Sequence, residues 1–273
     1  AKLAQHFWPG PLTMIFPKKE KVPGSTTGGL DTVAVRMPSH PVARALIRES
    51  GVYIAAPSAN TSGRPSPTKA EHVQEDLDGR IDMIIDGGQV NIGLESTIVD
   101  FTEDIPVVLR PGYISLEMLR ETLGDVRMDK GLIKPDSKVH PKAPGMKYRH
   151  YAPKADLAIV EGSTEGVIAE IERRAGEAED KGLTVGIIAT DETKGRYSHG
   201  IVKSIGSREQ EETIAHHLYE VLRDFDNCNV SAIYSEAFFT PRMGQAIMNR
   251  LLKAAGHKII NVEEEKENDS TGM

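Results

Sequence analysis

Hydrophobic residues recur at two different spacings along the chain, and the spacing separates predicted strands from predicted helices. In the first 126 residues, short apolar or alternating runs predict strands, and apolar positions three or four residues apart predict helices. The predicted strands cover 12–16, 32–37, 52–56, 81–85, 97–101 and 107–110, with 52–56 expected to be buried. The predicted helices cover 39–50, a segment that begins at residue 68, and 116–123.

The helix that begins at residue 68 carries a recognisable start signal. Thr68 and Glu71 have the spacing of a capping box, in which each side chain bonds to a backbone amide of the first turn. Val73 and Leu77 follow at helical spacing and form its predicted buried side.

Strand and helix patterns alternate in the second half of the chain. Strands are predicted at 156–160, 184–189, 202–205 and 230–235, and helices at 164–180, 209–225 and 244–255. This alternation predicts a small parallel α/β domain. No glycine-rich phosphate-binding fingerprint follows any of these strands, so a nucleotide site of that kind is not supported. The inner face of helix 209–225 is predicted to comprise Ile214, Leu218, Val221, Leu222 and Phe225.

Segment 54–68 is unusually rich in small polar side chains. Its prolines and its glycine restrict the backbone, so hydroxyl and amide groups can be held in place around an oxygen-rich anion. The amides at the start of the following helix would favour such an anion. An ordinary surface loop remains the alternative on these residues alone. The polar residues are Ser58, Asn60, Thr61, Ser62 and Ser66.

Two arginines and a serine lie at strand ends and form a second set of candidates. Arg36 shares one face of strand 32–37 with Thr32, and Arg110 ends strand 107–110. Ser96 belongs to the run Gly-Leu-Glu-Ser-Thr at 93–97, immediately before a strand, and a capped hairpin loop is the alternative interpretation of this run. Arg36 could be a solvated charge or a fixed fork for a carboxylate or phosphate, and both interpretations stay open. Arg110 is a candidate because charged side chains at strand ends that face a shared crevice are common ligand contacts.

Composition and charge restrict the class of protein. The chain has 273 residues, of which 39% are hydrophobic and 27% charged, as expected for a soluble globular protein. The single cysteine, Cys228, excludes an internal disulfide and a Cys-x-x-Cys metal site, and it favours a reducing, cytoplasmic setting. A net charge of −7 argues against a protein that coats nucleic acid with its whole surface.

The segment 127–153 lacks apolar periodicity, contains repeated prolines and is basic within an acidic chain. It is interpreted either as a solvated tether between domains or as a strap over an anionic pocket. The charged segment 263–273 is predicted to be disordered. The basic side chains in or beside 127–153 include Lys138, His140, Lys142, Lys147, Arg149, His150 and Lys154.

Six short motifs together resemble the Sua5/YrdC/YciO family. They are Phe-Trp-Pro-Gly-Pro-Leu-Thr at 7–13, Val-Ala-Val-Arg-Met-Pro at 33–38, Ala-Ala-Pro-Ser-Ala-Asn-Thr-Ser-Gly at 55–63, Gly-Leu-Glu-Ser-Thr at 93–97, Leu-Arg-Pro-Gly at 109–112 and Ala-Pro-Gly-Met-Lys-Tyr-Arg-His-Tyr-Ala-Pro at 143–153. The last motif and the α/β pattern behind it are similar to the long, Sua5-type members.

The resemblance implies an α/β protein with two domains. A YrdC-like α+β twisted-sheet domain, incomplete at its N-terminus, would occupy 1–126, and a small Rossmann-like parallel α/β domain would occupy 154–262. The basic linker 127–153 would lie over the active site, and 263–273 would form an acidic tail.

The resemblance also implies an activity. Family members are threonylcarbamoyl-AMP synthases, nucleotidyltransferases that combine L-threonine, bicarbonate and ATP and release pyrophosphate. Their product supplies the group that downstream tRNA-modification proteins place on adenosine 37. Mg²⁺ would accompany ATP, and no protein side chain is expected to bind a metal or to act as a covalent or acid/base catalyst. No membrane is implied, and direct tRNA binding stays open.

The resemblance assigns roles to eleven residues. The residues expected to bind ATP are Thr32, Ser58, Asn60, Ser66, Arg110, Arg149 and His150. The residues expected to bind threonine are Arg36, Ala56, Ser96 and Tyr151. Because two anions must be brought together, charge neutralisation and alignment would carry the catalysis.

The sequence departs from the family pattern in one respect. The family's ATP-binding Lys-x-Arg motif precedes the Trp-Pro-Gly-Pro turn and has no counterpart before it here, so weak or absent turnover is expected of these 273 residues by themselves. The alternatives are a non-catalytic nucleotide- or RNA-binding protein of the YrdC-like fold and a carbamoyltransferase of the hydrogenase-maturation type. Salt-sensitive nucleic-acid binding that persists without threonine would distinguish the RNA-binding class.

Overall fold

The computed structural model describes residues 1–133 and 151–263, which form two compact units. One unit joins Ala1–Ser58 to the residues that begin at Leu94, and the other joins Ala59–Gly93 to the residues from Tyr151 onward. This grouping differs from the boundaries predicted from the sequence, which place 59–93 in the first domain. The predicted boundaries at 126 and 153 stay a prediction.

Residues 1–133 contain most of the elements that the hydrophobic pattern predicts, and the predicted strands at 12–16, 32–37, 97–101 and 107–110 are confirmed. Both predicted helices at 39–50 and 116–123 are also confirmed. The order is α1 (Lys2–Phe7), β1 (Leu12–Pro17), β2 (Thr32–Arg36), α2 (Pro41–Ser50), α3 (Ala70–Leu77), β3 (Thr97–Asp100), β4 (Val107–Arg110), α4 (Leu116–Leu123), β5 (Arg127–Met128) and α5 (Lys130–Ile133).

The first unit is built on a mixed sheet in the order β2-β1-β3-β4-β5. β1 runs antiparallel to β2 and parallel to β3, and β3 runs antiparallel to β4. Helix α4 begins where the Ser115 hydroxyl accepts a hydrogen bond from the Met118 amide at 3.2 Å. Its Leu119 is fully buried against Leu12 and Val108, so the helix covers one face of the sheet.

The second unit contains a five-stranded sheet in the order β10-β6-β9-β7-β8, and all its strand pairs are parallel. The predicted parallel α/β domain is therefore confirmed. The elements after the gap are β6 (Asp156–Glu161), α6 (Thr164–Glu179), β7 (Val185–Ala189), a 3-10 turn at Lys194–Arg196, β8 (Ile201–Ser204), α7 (Glu211–Phe225), β9 (Ala232–Glu236), α8 (Gly244–Ala254) and β10 (Ile259–Asn261). The three-residue strand β10 is not predicted from the sequence.

Helix α7 contributes a fully apolar side to the core of the second unit. Phe225 lies so close to β7 that a Cβ atom at Gly186 would meet the Phe225 ring at 2.5 Å. A glycine is therefore required where the helix approaches this strand. The predicted inner face is confirmed, because its five members are all buried: Ile214, Leu218, Val221, Leu222 and Phe225.

Two predicted strands, at 52–56 and 81–85, are wrong. Neither segment pairs with a strand in the part of the chain that the structure describes. In the first segment Tyr53 is fully exposed, so the expected burial of that segment is wrong as well. In the second segment Met83 is 75% exposed. Both segments have strong β-propensity, but a strand also needs a neighbouring strand that pairs with it, which a single segment's composition does not reveal.

The capping box predicted at the start of α3 is also wrong. The helix begins after Lys69, and no side chain caps its first turn. Instead, the Thr68 amide donates a hydrogen bond to Nδ1 of His72 at 3.2 Å. This bond requires an unprotonated Nδ1. Burial, followed by the positive charge of Arg223, lowers the pKa of His72 and favours that state.

The buried side of α3 differs from the predicted one. His72 and Asp76 are buried, whereas Val73 and Leu77 remain partly accessible. Residues 72 and 76 lie one turn apart and therefore share a face. Two polar side chains occupy the inner face because specific partners satisfy them, and a purely apolar pattern cannot indicate such partners.

The region around the predicted linker is only partly described. Its first residues are ordered in β5, which pairs with β4, and in α5, so the expectation that regular structure fails from residue 127 is wrong there. The rest of the linker up to residue 150 and the predicted tail from residue 264 lie outside the described residues. Within the described ranges, no helix is long and apolar enough to cross a membrane.

Candidate functional site

The ends of four segments bring polar side chains together in the first unit. Arg36 ends β2 and Arg110 ends β4, while Thr13 lies near the start of β1 and Ser96 immediately precedes β3. Because β1 and β3 run opposite to β2 and β4, these strand ends meet at one edge of the sheet. The register pairs Thr13 with Arg36 and Ile98 with Arg110.

Ser96 is the centre of the hydrogen bonds at this edge. Its hydroxyl lies 2.7 Å from the Thr13 hydroxyl and accepts from an Nη of Arg110 at 3.2 Å. The Ser96 carbonyl accepts from Nε of Arg110 at 3.0 Å. Only 4% of Ser96 is exposed, so these bonds fix the direction of the Arg110 guanidinium from within the protein. The structure therefore brings the predicted residues Ser96 and Arg110 together.

Arg36 is attached to the turn that precedes β1. Its Nε donates to the Gly10 carbonyl at 3.2 Å, and the Gly10 amide donates to the Met37 carbonyl at 2.9 Å. A Cβ atom at Gly10 would lie 2.3 Å from the Phe7 carbonyl, so only glycine fits this close turn. The Trp-Pro-Gly-Pro motif thus has a structural effect, which is to hold the arginine at the sheet edge.

The electrostatics of this edge favour an anion. Desolvation, and then the positive charge of Arg110, lower the pKa of Arg36. No carboxylate in residues 1–133 or 151–263 forms a salt bridge with Arg36, which remains exposed. Two guanidinium groups held close together repel each other, and a bound carboxylate or phosphate would relieve that repulsion. The four side chains Thr13, Arg36, Ser96 and Arg110 are called the arginine edge below.

Thr13 is a member of the arginine edge that the sequence analysis missed. A signal was present, because Thr13 is the one polar residue in the run Leu-Thr-Met-Ile-Phe at 12–16. A threonine in such a strand is also an ordinary choice for a pleated surface, so the residue type alone carries little information. Its hydrogen bond with Ser96 becomes visible only through the parallel pairing of β1 with β3.

The other predicted residues of the first unit are more dispersed. Thr32 begins β2 and Arg36 ends it, so the two residues lie about 13 Å apart at a strand rise of 3.3 Å per residue. Ala56 and Ser58 are exposed in the segment that follows α2. Their assignment to ATP or threonine stays a prediction.

Three further predicted residues belong to the second unit. Asn60 donates from Nδ2 to the carbonyls of Thr61 and Arg64 at 2.9 and 3.3 Å, which closes a tight turn. Ser66 is buried, with 8% of its surface exposed. Tyr151 is also buried and lies with its ring 5.0 Å from the ring of Tyr219. Arg149 and His150 lie outside the described residues.

Comparison with known proteins identifies the family. Residues 1–112 match the Sua5/YciO/YrdC family, described as telomere recombination, and residues 114–256 match the C-terminal domain of threonylcarbamoyl-AMP synthase. The threonylcarbamoyl-AMP synthase of Bacillus subtilis is 53% identical over 94% of this chain and 73% of its own length. The chain belongs to the threonylcarbamoyl-AMP synthase family.

Further members of the family agree in sequence and in fold. The threonylcarbamoyl-AMP synthase of Pyrococcus abyssi is 48% identical over 95% of this chain and 74% of its own length. A crystal structure of P. abyssi Sua5 complexed with L-threonine matches with a TM-score of 0.87 and 46% identity, over 95% of this chain and 74% of that chain. The resemblance drawn from the six motifs is thereby confirmed, and the non-catalytic alternative is not favoured.

Proposed function

We propose that this protein forms L-threonylcarbamoyl-AMP and pyrophosphate from L-threonine, bicarbonate and ATP. The family membership supports the reaction, and the arginine edge is the observation in this chain that carries it. The product would serve the proteins that modify adenosine 37 of tRNA. A cytoplasmic location stays a prediction from the lone cysteine.

The arginine edge suits a reaction between two anions. The carbamate of threonine must approach the α-phosphate of ATP, and each bears negative charge where the new bond forms. Arg36 would hold the threonine carboxylate through its guanidinium fork, and Arg110, oriented by Ser96, would neutralise the phosphates. Preorganised cations of this kind lower the barrier because they need no rearrangement during the reaction.

Mg²⁺ is proposed to enter with ATP. In the described ranges, no group of three or more His, Cys, Asp or Glu side chains is placed to hold a metal ion. The arginine edge supplies guanidinium and hydroxyl groups, so it fits the phosphates and not the ion itself. Such a site suits Mg²⁺ that keeps its water ligands and is bound largely through the triphosphate.

The reaction is tested by omitting one substrate at a time. With the complete gene product, pyrophosphate release is expected only when threonine, bicarbonate and ATP are all present. Omission of threonine is expected to reduce the rate to the background of ATP hydrolysis. Pyrophosphate release that is indifferent to threonine would contradict the proposal, and salt-sensitive RNA binding without any turnover would support the non-catalytic alternative instead.

A further inference from the structure

A buried carboxylate on helix α3 lies between two arginines of the second unit. Asp76 accepts from an Nη of Arg64 in a short hydrogen bond, and it accepts from both Nη atoms of Arg223 at 2.9 and 3.3 Å. The side chain of Asp76 has no exposed surface, and that of Arg223 is only 2% exposed. Charged groups are rarely buried this completely unless they are paired, as they are here.

Asp76 and Arg223 also bond to the backbone of the polar segment 54–68. Asp76 accepts from the Thr61 amide at 3.1 Å, and Arg223 donates to the Pro65 carbonyl from Nε and an Nη at 3.1 and 2.6 Å. The Arg64 amide donates to the Thr61 carbonyl at 3.2 Å, which closes the turn between these two attachment points. Both ends of the turn 61–65 are thus fixed to helices α3 and α7.

Additional bonds connect this turn to other parts of the second unit. Arg64 also reaches Asp226, just after α7, at 3.4 Å, and Asp226 accepts from the Lys154 amide at 2.7 Å. The Ala152 amide donates to the Gly63 carbonyl at 2.9 Å. The turn is therefore held by residues that follow the predicted linker as well as by α3 and α7.

Electrostatics keep the central carboxylate ionised. Burial by itself would raise the pKa of Asp76, but the hydrogen bonds and charge of Arg223, the Thr61 amide and the charge of Arg64 outweigh it and hold the pKa below its ordinary value. Buried ion pairs seldom stabilise a fold more than a well-packed apolar pair would, so stability is a weak reason for this arrangement. A requirement for one loop conformation explains it better.

We propose that Asp76 and Arg223 are positioning residues that hold the loop at 60–66 in its nucleotide-binding conformation. The loop carries Asn60 and Ser66, two of the residues expected to bind ATP, so this inference rests on the proposed function. It gives helix α7 of the C-terminal α/β domain a part in binding ATP. Asp76 and Arg223 act through the loop and need not touch the nucleotide themselves.

The inference is tested by steady-state kinetics of Arg223→Lys and Asp76→Asn in the complete gene product. Both substitutions preserve size, but lysine cannot bond to Asp76 and Pro65 through a planar fork, and asparagine is neutral. The KM for ATP is expected to rise about tenfold, which corresponds to about 1.4 kcal/mol. The KM for threonine is expected to change less, because Arg36 and Ser96, two of the four residues expected to bind it, are held by bonds to Gly10, Thr13 and Arg110 and not by Asp76 or Arg223.

A matched control comes from the same unit. Arg208 donates to Glu236 at 2.7 Å, and Glu236 is 2% exposed, so Arg208→Met also removes one partner of a buried carboxylate. This variant is expected to lose stability without a selective change in the KM for ATP. A wild-type KM for ATP in both test variants, or an equal rise of both KM values, would overturn the inference.

Hydrogen exchange separates this inference from the proposed function. In Arg223→Lys the Thr61 and Arg64 amides are expected to exchange faster, while the amides of β6, β7 and β9 keep their protection. Unchanged exchange at both loop amides would overturn the positioning role even in an active enzyme. If the wild-type protein showed no threonine-dependent turnover, the proposed function would fail, whereas the exchange experiment would still decide whether the network holds the loop.

Discussion

Replacing Arg36 with methionine is expected to lower kcat/KM for threonine about a hundredfold, because removing one partner of a hydrogen-bonded charge pair costs about 2–5 kcal/mol. Methionine keeps much of the length of the side chain but loses the guanidinium that donates to Gly10 and faces Arg110. The measurement is pyrophosphate release at varied threonine concentrations. The KM for ATP should change less than the KM for threonine.

Arg48 provides the control for this substitution. It lies on α2, and its side chain, 75% exposed, is paired with that of Glu49, which is 73% exposed. Arg48→Met removes one positive charge from the same unit without touching the arginine edge, so kcat/KM is expected to stay close to that of the wild type. Equal losses for the two variants would mean that Arg36 acts only through net charge.

Replacing Asp76 with alanine is expected to lower the free energy of unfolding by about 3–5 kcal/mol, because it removes the fully buried carboxylate that accepts from both Nη atoms of Arg223 and leaves that arginine with the more exposed carboxylate of Glu75 at 3.6 Å. The measurement is urea unfolding followed by a spectroscopic probe of the second unit. The control is Glu165→Ala, which removes an exposed carboxylate paired with Arg196, and its midpoint is expected to stay unchanged. Similar midpoints for both variants would contradict a buried network centred on Asp76.

The same network predicts a dependence on pH. Because the pKa of Asp76 is lower in the folded protein than its ordinary value of 3.8, its ionised form contributes stability that is fully present above pH 3.8. That contribution is lost as the pH falls through the lower, folded pKa. The difference in the free energy of unfolding between the wild type and Asp76→Asn is therefore expected to shrink below about pH 3.8. A difference that stays constant down to lower pH would contradict a stabilising role of ionised Asp76.

Much of the fold could be predicted because it depends on local periodicity. Helix α7 is an example, since its five apolar residues repeat at helical spacing and all are buried. The parallel sheet of the second unit followed from strands that alternate with such helices. These inferences need only the chain's own pattern of apolar and polar residues.

The errors have a common physical cause. Segment 52–56 has the composition of a strand, yet pairing depends on a neighbour that its sequence does not specify. Helix α3 buries Asp76 because a distant group satisfies it, with Arg223 lying 147 residues away. It buries His72 because the Thr68 amide, one turn earlier, donates to the His72 ring. The hydrophobic pattern assigns a polar residue to the solvent-facing side of a helix, and only knowledge of its hydrogen-bonding partner shows that it is buried.

The residues of the candidate site could be predicted only in part from the sequence. Arg36, Ser96 and Arg110 were recognised as members of family motifs and as polar residues at strand ends. Thr13 ends one of those motifs but is assigned no role from the sequence, and neither is Asp76, because their contacts depend on strand register and on helix packing. The residue types indicate which functional groups the chain has, whereas strand register and helix packing decide which of these groups come into contact.

The most direct test of the proposed activity follows the carbon of bicarbonate. The complete gene product is incubated with ¹³C-labelled bicarbonate, threonine, ATP and Mg²⁺, and the adenylate product is analysed by mass spectrometry. The proposed reaction predicts threonylcarbamoyl-AMP that carries the label, with pyrophosphate released in equal amount. An unlabelled threonyl adenylate, or AMP formed without any labelled adduct, would contradict it.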